Sequence, residues 1–331
     1  MSNEKNLTLA QIFDLAVQNH QNNKLNVAQE LYSQVLKIDP NHSATLNNFA
    51  LIFKELGENQ KAKSYCEKAI SIDPNYANAH NNLGVIFKEL RQHQKAKECF
   101  EKAIEINPNY ADVHYNLGVI FKELGEREKA KDCFERAIKF NPNHSFALSN
   151  IGLIFKELEE REKAKECFEK TIEINPNYAD AHNNLGVIFK ELGEREKAKD
   201  CFERAIKFNP NHSFALSNIG LIFKELEERE KAKECFEKTI EINPNYADAH
   251  NNLGVIFKEL GEREKAKDCY EKAIKIDPNY ANAHYNLGVL FKELGENLKA
   301  KECYEKAIKI DPNYANALNN LGVIFKELGE N

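Results

Sequence analysis

The chain has 331 residues, 30% of them charged, and its 52 acids against 46 bases leave a formal charge of −6. The two signs are mixed along the chain, so there is neither the basic footprint of a nucleic-acid binder nor an acidic tail. No apolar run approaches the roughly 18 residues of a membrane span, and the start MSNEKNLTLAQIFDLAVQNHQ lacks the apolar stretch of a signal peptide, which points to a cytoplasmic protein.

Length alone suggests about two domains. The prolines overrule that expectation. They fall at 40, 74, 108, 142, 176, 210, 244, 278 and 312, each 34 residues after the last. A fixed period of this size predicts a repeat array. Its parts are a lead-in (1–8), nine units (9–42, 43–76, 77–110, 111–144, 145–178, 179–212, 213–246, 247–280, 281–314) and a half unit, 315–331.

In chain order, unit 9–42 is the least regular, with Ala16, Asn19 and Val35 where later units carry Gly, an aromatic and Ala. That suits a first repeat whose outer side meets water. Unit 179–212, ADAHNNLGVIFKELGEREKAKDCFERAIKFNPNH, shows the common grammar. Leu185, Ile188, Phe189 and Leu192 follow helical spacing, and Gly193 supplies a stop. A second helical pattern runs through Ala198, Cys201, Phe202, Ala205 and Ile206 until Pro210 ends it. Each unit is thus a helical hairpin that must stack to bury its apolar face. A glycine recurs inside the first helix, where it costs roughly 0.5–1 kcal/mol. Close helix approach is the expected reason, with Gly186 facing Ala198 and Ala205.

Residues 111–178 and 179–246 match at all but two of 68 positions, Val113/Ala181 and Tyr115/Asn183. Seven of the eight cysteines share one repeat position, and Cys66 sits one place later. Equivalent positions in stacked helices lie about 8–10 Å apart, too far for a disulfide, so packed thiols are expected. The second helices alternate charge, as in Asp200–Arg204 and Glu203–Lys207, which reads as a solvated face. The half unit 315–331 keeps the interior pattern through Leu321, Val323, Ile324, Phe325 and Leu328 and stops on Gly-Glu-Asn.

The period, the Leu-Gly pair, the aromatic three places on, the two alanines with an aromatic between them and the closing Pro resemble tetratricopeptide (TPR) repeats. The resemblance implies an all-α, right-handed superhelical solenoid of stacked helical hairpins, nine units plus one extra helix. It also implies that the first helices line a concave groove. One departure is the fourth place of each unit, often Trp in the family and here His (80, 114, 182, 250, 284) or Leu (46, 148, 216, 318).

In each unit after the first, the sixth place is asparagine: Asn48, Asn82, Asn116, Asn150, Asn184, Asn218, Asn252, Asn286 and Asn320. An amide side chain both donates and accepts, so it can pair with a peptide backbone without reading its sequence. With repeats about 8–10 Å apart and an extended chain rising about 3.3 Å per residue, each asparagine meets roughly every third residue. The strip Asn-Asn-Leu-Gly after Asn-Tyr-Ala-Asp-Ala-His is similar to the TPR superhelix of O-linked N-acetylglucosamine transferases. There the groove asparagines hold the backbone of protein substrates, a role the resemblance carries onto these nine residues. The chaperone-tail clamp, with Lys at the fifth place and Asn at the ninth, is absent, since Val85 and Val187 stand at the ninth.

Phe146 and Phe214 replace a polar second place, as groove anchors or, the favoured reading, as covers for Phe140 and Phe208. The histidines recur too far apart to share an ion, and no phosphate loop, H-E-x-x-H or nucleophile elbow occurs. No cofactor, metal or catalytic centre is therefore expected. The sequence predicts a non-catalytic scaffold for an extended peptide or partner protein. The alternative is the substrate-recognition arm of a larger protein O-glycosyltransferase or sulfotransferase whose catalytic domain is absent, the half unit marking a cut. Unit 9–42, with Leu31-Tyr32 and Asp39-Pro40-Asn41-His42, resembles the first TPR of such bacterial proteins. A homodimer through the exposed last helix would also cover that end.

Overall fold

The structure, a computed structural model, describes residues 7–329, so the first six residues of the lead-in and Glu330-Asn331 lie outside it. The described residues form nineteen α-helices and no strand. They divide into two compact units, Met1–Cys167 and Phe168–Asn331. The first holds α1 Leu9–Gln21, α2 Leu25–Ile38, α3 Ser43–Glu55, α4 Asn59–Ile72, α5 Ala77–Glu89, α6 His93–Ile106, α7 Ala111–Glu123, α8 Arg127–Phe140 and α9 Ser145–Glu157. The division falls within α10, Arg161–Ile174. The second holds α11 Ala179–Glu191, α12 Arg195–Phe208, α13 Ser213–Glu225, α14 Arg229–Ile242, α15 Ala247–Glu259, α16 Arg263–Ile276, α17 Ala281–Glu293, α18 Asn297–Ile310 and α19 Ala315–Leu328.

Inside each compact unit the architecture is the same all-α repeat solenoid. Odd and even helices pair as hairpins (α3 with α4, α11 with α12), and second helices pack on the next first helix, as α4 does on α5 and α12 on α13. First helices also touch one another from hairpin to hairpin, as α3, α5 and α7 do, and α11, α13, α15 and α17. One layer of first helices therefore runs along each unit, and the candidate site lies on it.

Local chemistry sets the boundaries. Gly193 turns the chain between α11 and α12 at φ +77°, a left-handed conformation that glycine adopts without strain. Glu159 and Glu227 occupy the same register at φ +59°, where an L side chain costs roughly 1–2 kcal/mol. Ahead of Pro210, Asn209 leaves α12 in an extended conformation, and its side-chain Oδ1 accepts from the Asn211 amide at 3.1 Å. His212 then caps α13, its imidazole Nδ1 accepting from the Ala215 amide at 3.2 Å.

The recurrent glycine does mark a close approach, but to different atoms from those expected. A methyl group at Gly186 would sit 2.7 Å from the Phe202 ring and 3.1 Å from the Cys201 Cβ. The aromatic ring, fully buried between Ala198 and Ala205, projects further than the alanines and reaches the glycine first. Tyr270 and Tyr304 take the same place in later hairpins, and their buried hydroxyls have no hydrogen-bond partner. The thiols are packed and inert: burial pushes Cys66 and Cys99 up to about 12, and Cys133, Cys201, Cys235, Cys269 and Cys303 up to about 11. At the last described helix, α19 buries Ala317 and Ile324 while Leu318 and Val323 are exposed.

Candidate peptide-binding face

All nine asparagines of the sixth place lie on first helices, and all nine are half-buried. The helical register explains the uniformity. Two residues before the inward Gly and next to the inward Leu, the side chain lies at the margin of the packed face. Each amide is therefore partly desolvated and held, with an edge left to solvent.

The asparagines do not form one uninterrupted ladder. Their partners vary with the fifth-place residue of the preceding hairpin. Where that residue is asparagine, the two amides clasp. Asn82 Nδ2 donates to Asn47 Oδ1 at 2.8 Å and Asn116 to Asn81 at 3.0 Å. In the second unit Asn218 donates to Asn183 at 3.1 Å and Asn286 to Asn251 at 2.9 Å. Asn320 makes the corresponding bond to the Tyr285 hydroxyl at 3.3 Å. Asn48, earlier in the chain, instead accepts from its neighbour Asn47 at 3.3 Å.

Where the preceding fifth place is Tyr115 or Ser217, the amide turns back on its own helix. Asn150 donates to the Phe146 carbonyl and Asn252 to the Asp248 carbonyl, both at 2.9 Å. Their free oxygens are then met by a lysine of the preceding hairpin, Lys122 at 2.9 Å and Lys224 at 3.3 Å. Beside the clasped asparagines the equivalent lysine goes to a glutamate of the next hairpin. Lys54 pairs with Glu89 at 3.4 Å, and Lys258 with Glu293 at 3.2 Å. The fifth-place asparagines Asn47, Asn81, Asn183 and Asn251 are thus the residues that sequence reasoning passed over. They are buried, unlike the sixth-place residues they hold. The Asn-Asn doublet was the signal that could have found them.

The other singled-out residues serve packing. His114, His182, His250 and His284 are buried and place Nε2 at 2.8–3.1 Å from the proline carbonyl six residues back. Among the described residues no group of three His, Cys, Asp or Glu side chains could hold a metal ion. Phe140 and Phe208 stack on His114 and His182, with ring centroids 5.4 Å apart. Phe146 and Phe214, expected to cover them, remain about half exposed, at 49% and 55%, and meet Tyr115 and Tyr246 instead. The histidine ring has already taken the stacking position.

Family profiles described as "Tetratricopeptide repeat" match residues 43–76, 77–110, 111–144 and 179–212. A further profile, "TPR repeat", matches 152–193, 220–261, 256–295 and 290–329. Together they cover most of the chain, which belongs to the tetratricopeptide repeat family and is built as a protein-interaction scaffold. Among solved structures, the chain is similar to the one described as "Functional Characterization of Pseudomonas Aeruginosa pilF". That match has 23% identity and TM-score 0.59, covering 62% of this chain and 94% of that one. It is also similar to the structure described as "APC/C hetero-tetramer Cut9-Hcn1", at 13% identity and TM-score 0.64, covering 98% of this chain and 78% of that one. At these identities the likeness concerns the fold. No curated protein sequence matches the chain.

Proposed function

We propose that the layer of first helices in each compact unit holds an extended segment of a partner protein, with Asn48, Asn82, Asn116 and Asn150 of the first unit and Asn184, Asn218, Asn252, Asn286 and Asn320 of the second pairing to its backbone. The observation that carries this reading is the bracing of these amides. A clasped asparagine spends one Nδ2 hydrogen on its neighbour, as in Asn218 to Asn183, and keeps a second N–H for a ligand. An amide already fixed in orientation loses little freedom on binding. The eight 34-residue units between 43 and 314 and the half unit from 315 would then each supply one such contact.

Replacing Asn184, Asn218 and Asn252 together by alanine should weaken capture of partner proteins about tenfold or more while far-UV circular dichroism stays unchanged. Pull-downs with wild type and variant, compared by quantitative mass spectrometry, measure it. An identical set of captured proteins at identical yield would discard the groove reading.

The exposed Leu318 and Val323 of α19 support a second reading, in which this helix is covered by another copy of the chain. Light scattering after size exclusion should then give a dimer that Leu318→Glu dissociates. A strictly monomeric wild type at high concentration would rule this out. The resemblance to the transferase superhelix would make the same groove a substrate-selecting arm in the cytoplasm. An in-frame extension encoding a transferase domain would support that role, and its absence would remove it.

A further inference from the structure

A second surface, on the other side of the hairpins from the asparagines, has its own chemistry. Two equivalent crevices open in the second compact unit. One is walled by Ile240, Pro244, His250 and Ile276, with Lys272 and Lys275 on it. The other, 34 residues on, is walled by Ile274, Pro278, His284 and Ile310, with Lys306 and Lys309. The back of each is fixed, since His250 and His284 are buried and bonded to the Pro244 and Pro278 carbonyls at 2.9 and 3.1 Å.

Comparison with earlier hairpins shows why these crevices are open and why they are basic. In α8 and α12 the residue in the place of Ile276 and Ile310 is phenylalanine. Phe140 and Phe208 stack on the corresponding histidines, and Lys139 and Lys207 lie over those rings at 5.9 and 5.8 Å. Isoleucine is too short to stack there, so the space beside the histidine is left unfilled. In α6 the residue is again isoleucine, Ile106, but Glu105 stands where Lys275 and Lys309 stand and pairs with Lys102 at 2.8 Å. Glu173 and Glu241 occupy that place before Ile174 and Ile242. Two lysines with an isoleucine therefore occur together in α16 and α18. None of the four lysines lies within 4.0 Å of a carboxylate among the described residues, and neither crevice has an acidic lining residue. A cleft lined by Glu169, Glu196, Asp200, Lys197 and Arg204 in the same unit, by contrast, supplies its own counter-charges.

We propose that this pair of crevices binds an acidic segment of a partner protein. Apolar side chains of the segment enter beside His250 and His284, and its carboxylates meet Lys272, Lys275, Lys306 and Lys309. The isoleucine and proline walls favour a peptide over a phosphate polymer, which would leave them uncovered. The surface is independent of the asparagine face.

The probe is a fluorescein-labelled synthetic peptide of repeated Asp-Leu-Glu triplets, titrated with the full chain and followed by anisotropy. Reversing all four charges (Lys272→Glu, Lys275→Glu, Lys306→Glu, Lys309→Glu) should weaken binding by at least about tenfold. The decisive variant is Ile276→Phe with Ile310→Phe. It fills the crevices as Phe140 and Phe208 fill theirs, keeps every charge, and reproduces a packing the fold already contains. It should weaken binding comparably while circular dichroism is unchanged. Binding by this variant as tight as wild type would overturn the proposal. So would tighter binding of a single-stranded oligothymidylate that the phenylalanines do not affect, since that describes a basic ridge for phosphates. Loss of peptide binding in the Asn184, Asn218, Asn252 alanine variant would overturn it as well, by placing the peptide on the other face.

Discussion

Hairpins 179–212 and 247–280 differ at five of 34 positions: Phe202/Tyr270, Arg204/Lys272, Phe208/Ile276, Asn209/Asp277 and His212/Tyr280. Their first helices, α11 and α15, are identical in sequence and share two contacts. Asn183 and Asn251 each accept from the asparagine of the next first helix, and a methyl group at Gly186 or Gly254 would sit 2.7 or 2.6 Å from the facing ring. All five differences fall in the second helix and its exit, and three of them change the contacts made there. Phe208 covers His182 where Ile276 leaves a crevice; Phe202 buries hydrocarbon where Tyr270 buries an unpaired hydroxyl. His212 caps α13 and meets Asp180 at 3.1 Å, whereas Tyr280 bonds to Asp248 at 2.5 Å and leaves α17 without a side-chain cap. The comparison separates a first helix held constant for contact between repeats from a second helix free to vary.

The sharpest way to break the similarity is to attack what the two hairpins share. Gly186→Leu should cost about 3 kcal/mol by forcing a branched side chain into the Phe202 ring. Hydrogen exchange should show α11 and α12 losing protection together, and unchanged protection would mean the ring simply moves aside. Next comes the exchange of one hairpin's chemistry for the other's. Phe208→Ile should cost about 1 kcal/mol through the lost stack on His182, read as a lower denaturant midpoint. Tyr270→Phe should raise stability by about 1 kcal/mol, because a desolvated hydroxyl without a partner is removed and the ring kept. A fall in stability would show that the hydroxyl has a partner after all.

The smallest effect is electrostatic. The hydrogen bond from His212 holds the Asp180 carboxyl below its ordinary range. Because the folded-state value is the lower one, ionised Asp180 adds stability above the ordinary carboxylate range. That contribution is lost as the pH falls through the lowered folded value. Asp180 is largely exposed, so the contribution is small. A carboxyl NMR titration should give a lowered midpoint for Asp180 that His212→Phe returns to the ordinary range, and equal midpoints would exclude the pairing.

Much of this was legible in the residues themselves. Prolines 34 apart and apolar spacing place the helices, because proline and glycine act locally through backbone geometry. The glycine inside the first helix announced a close contact, yet its partner was misread: distance along the chain does not say which side chain reaches furthest across a hairpin. The sixth-place asparagines were equally plain as a pattern. What divides them, clasped as Asn218 and Asn286 are or turned back as Asn150 and Asn252 are, depends on a residue 35 positions earlier. Only the stacking of first helices makes that residue a neighbour.

The same division holds for the whole protein. Sequence alone determined the repeat, the helices, the turns and the mixed charge, all consequences of interactions within about one unit of chain. Tertiary structure decided which side chains meet across units: asparagine on asparagine, phenylalanine on histidine, and two isoleucines too short to close a basic crevice. Those outcomes turn on ångström-scale reach between helices, which a one-dimensional pattern does not contain.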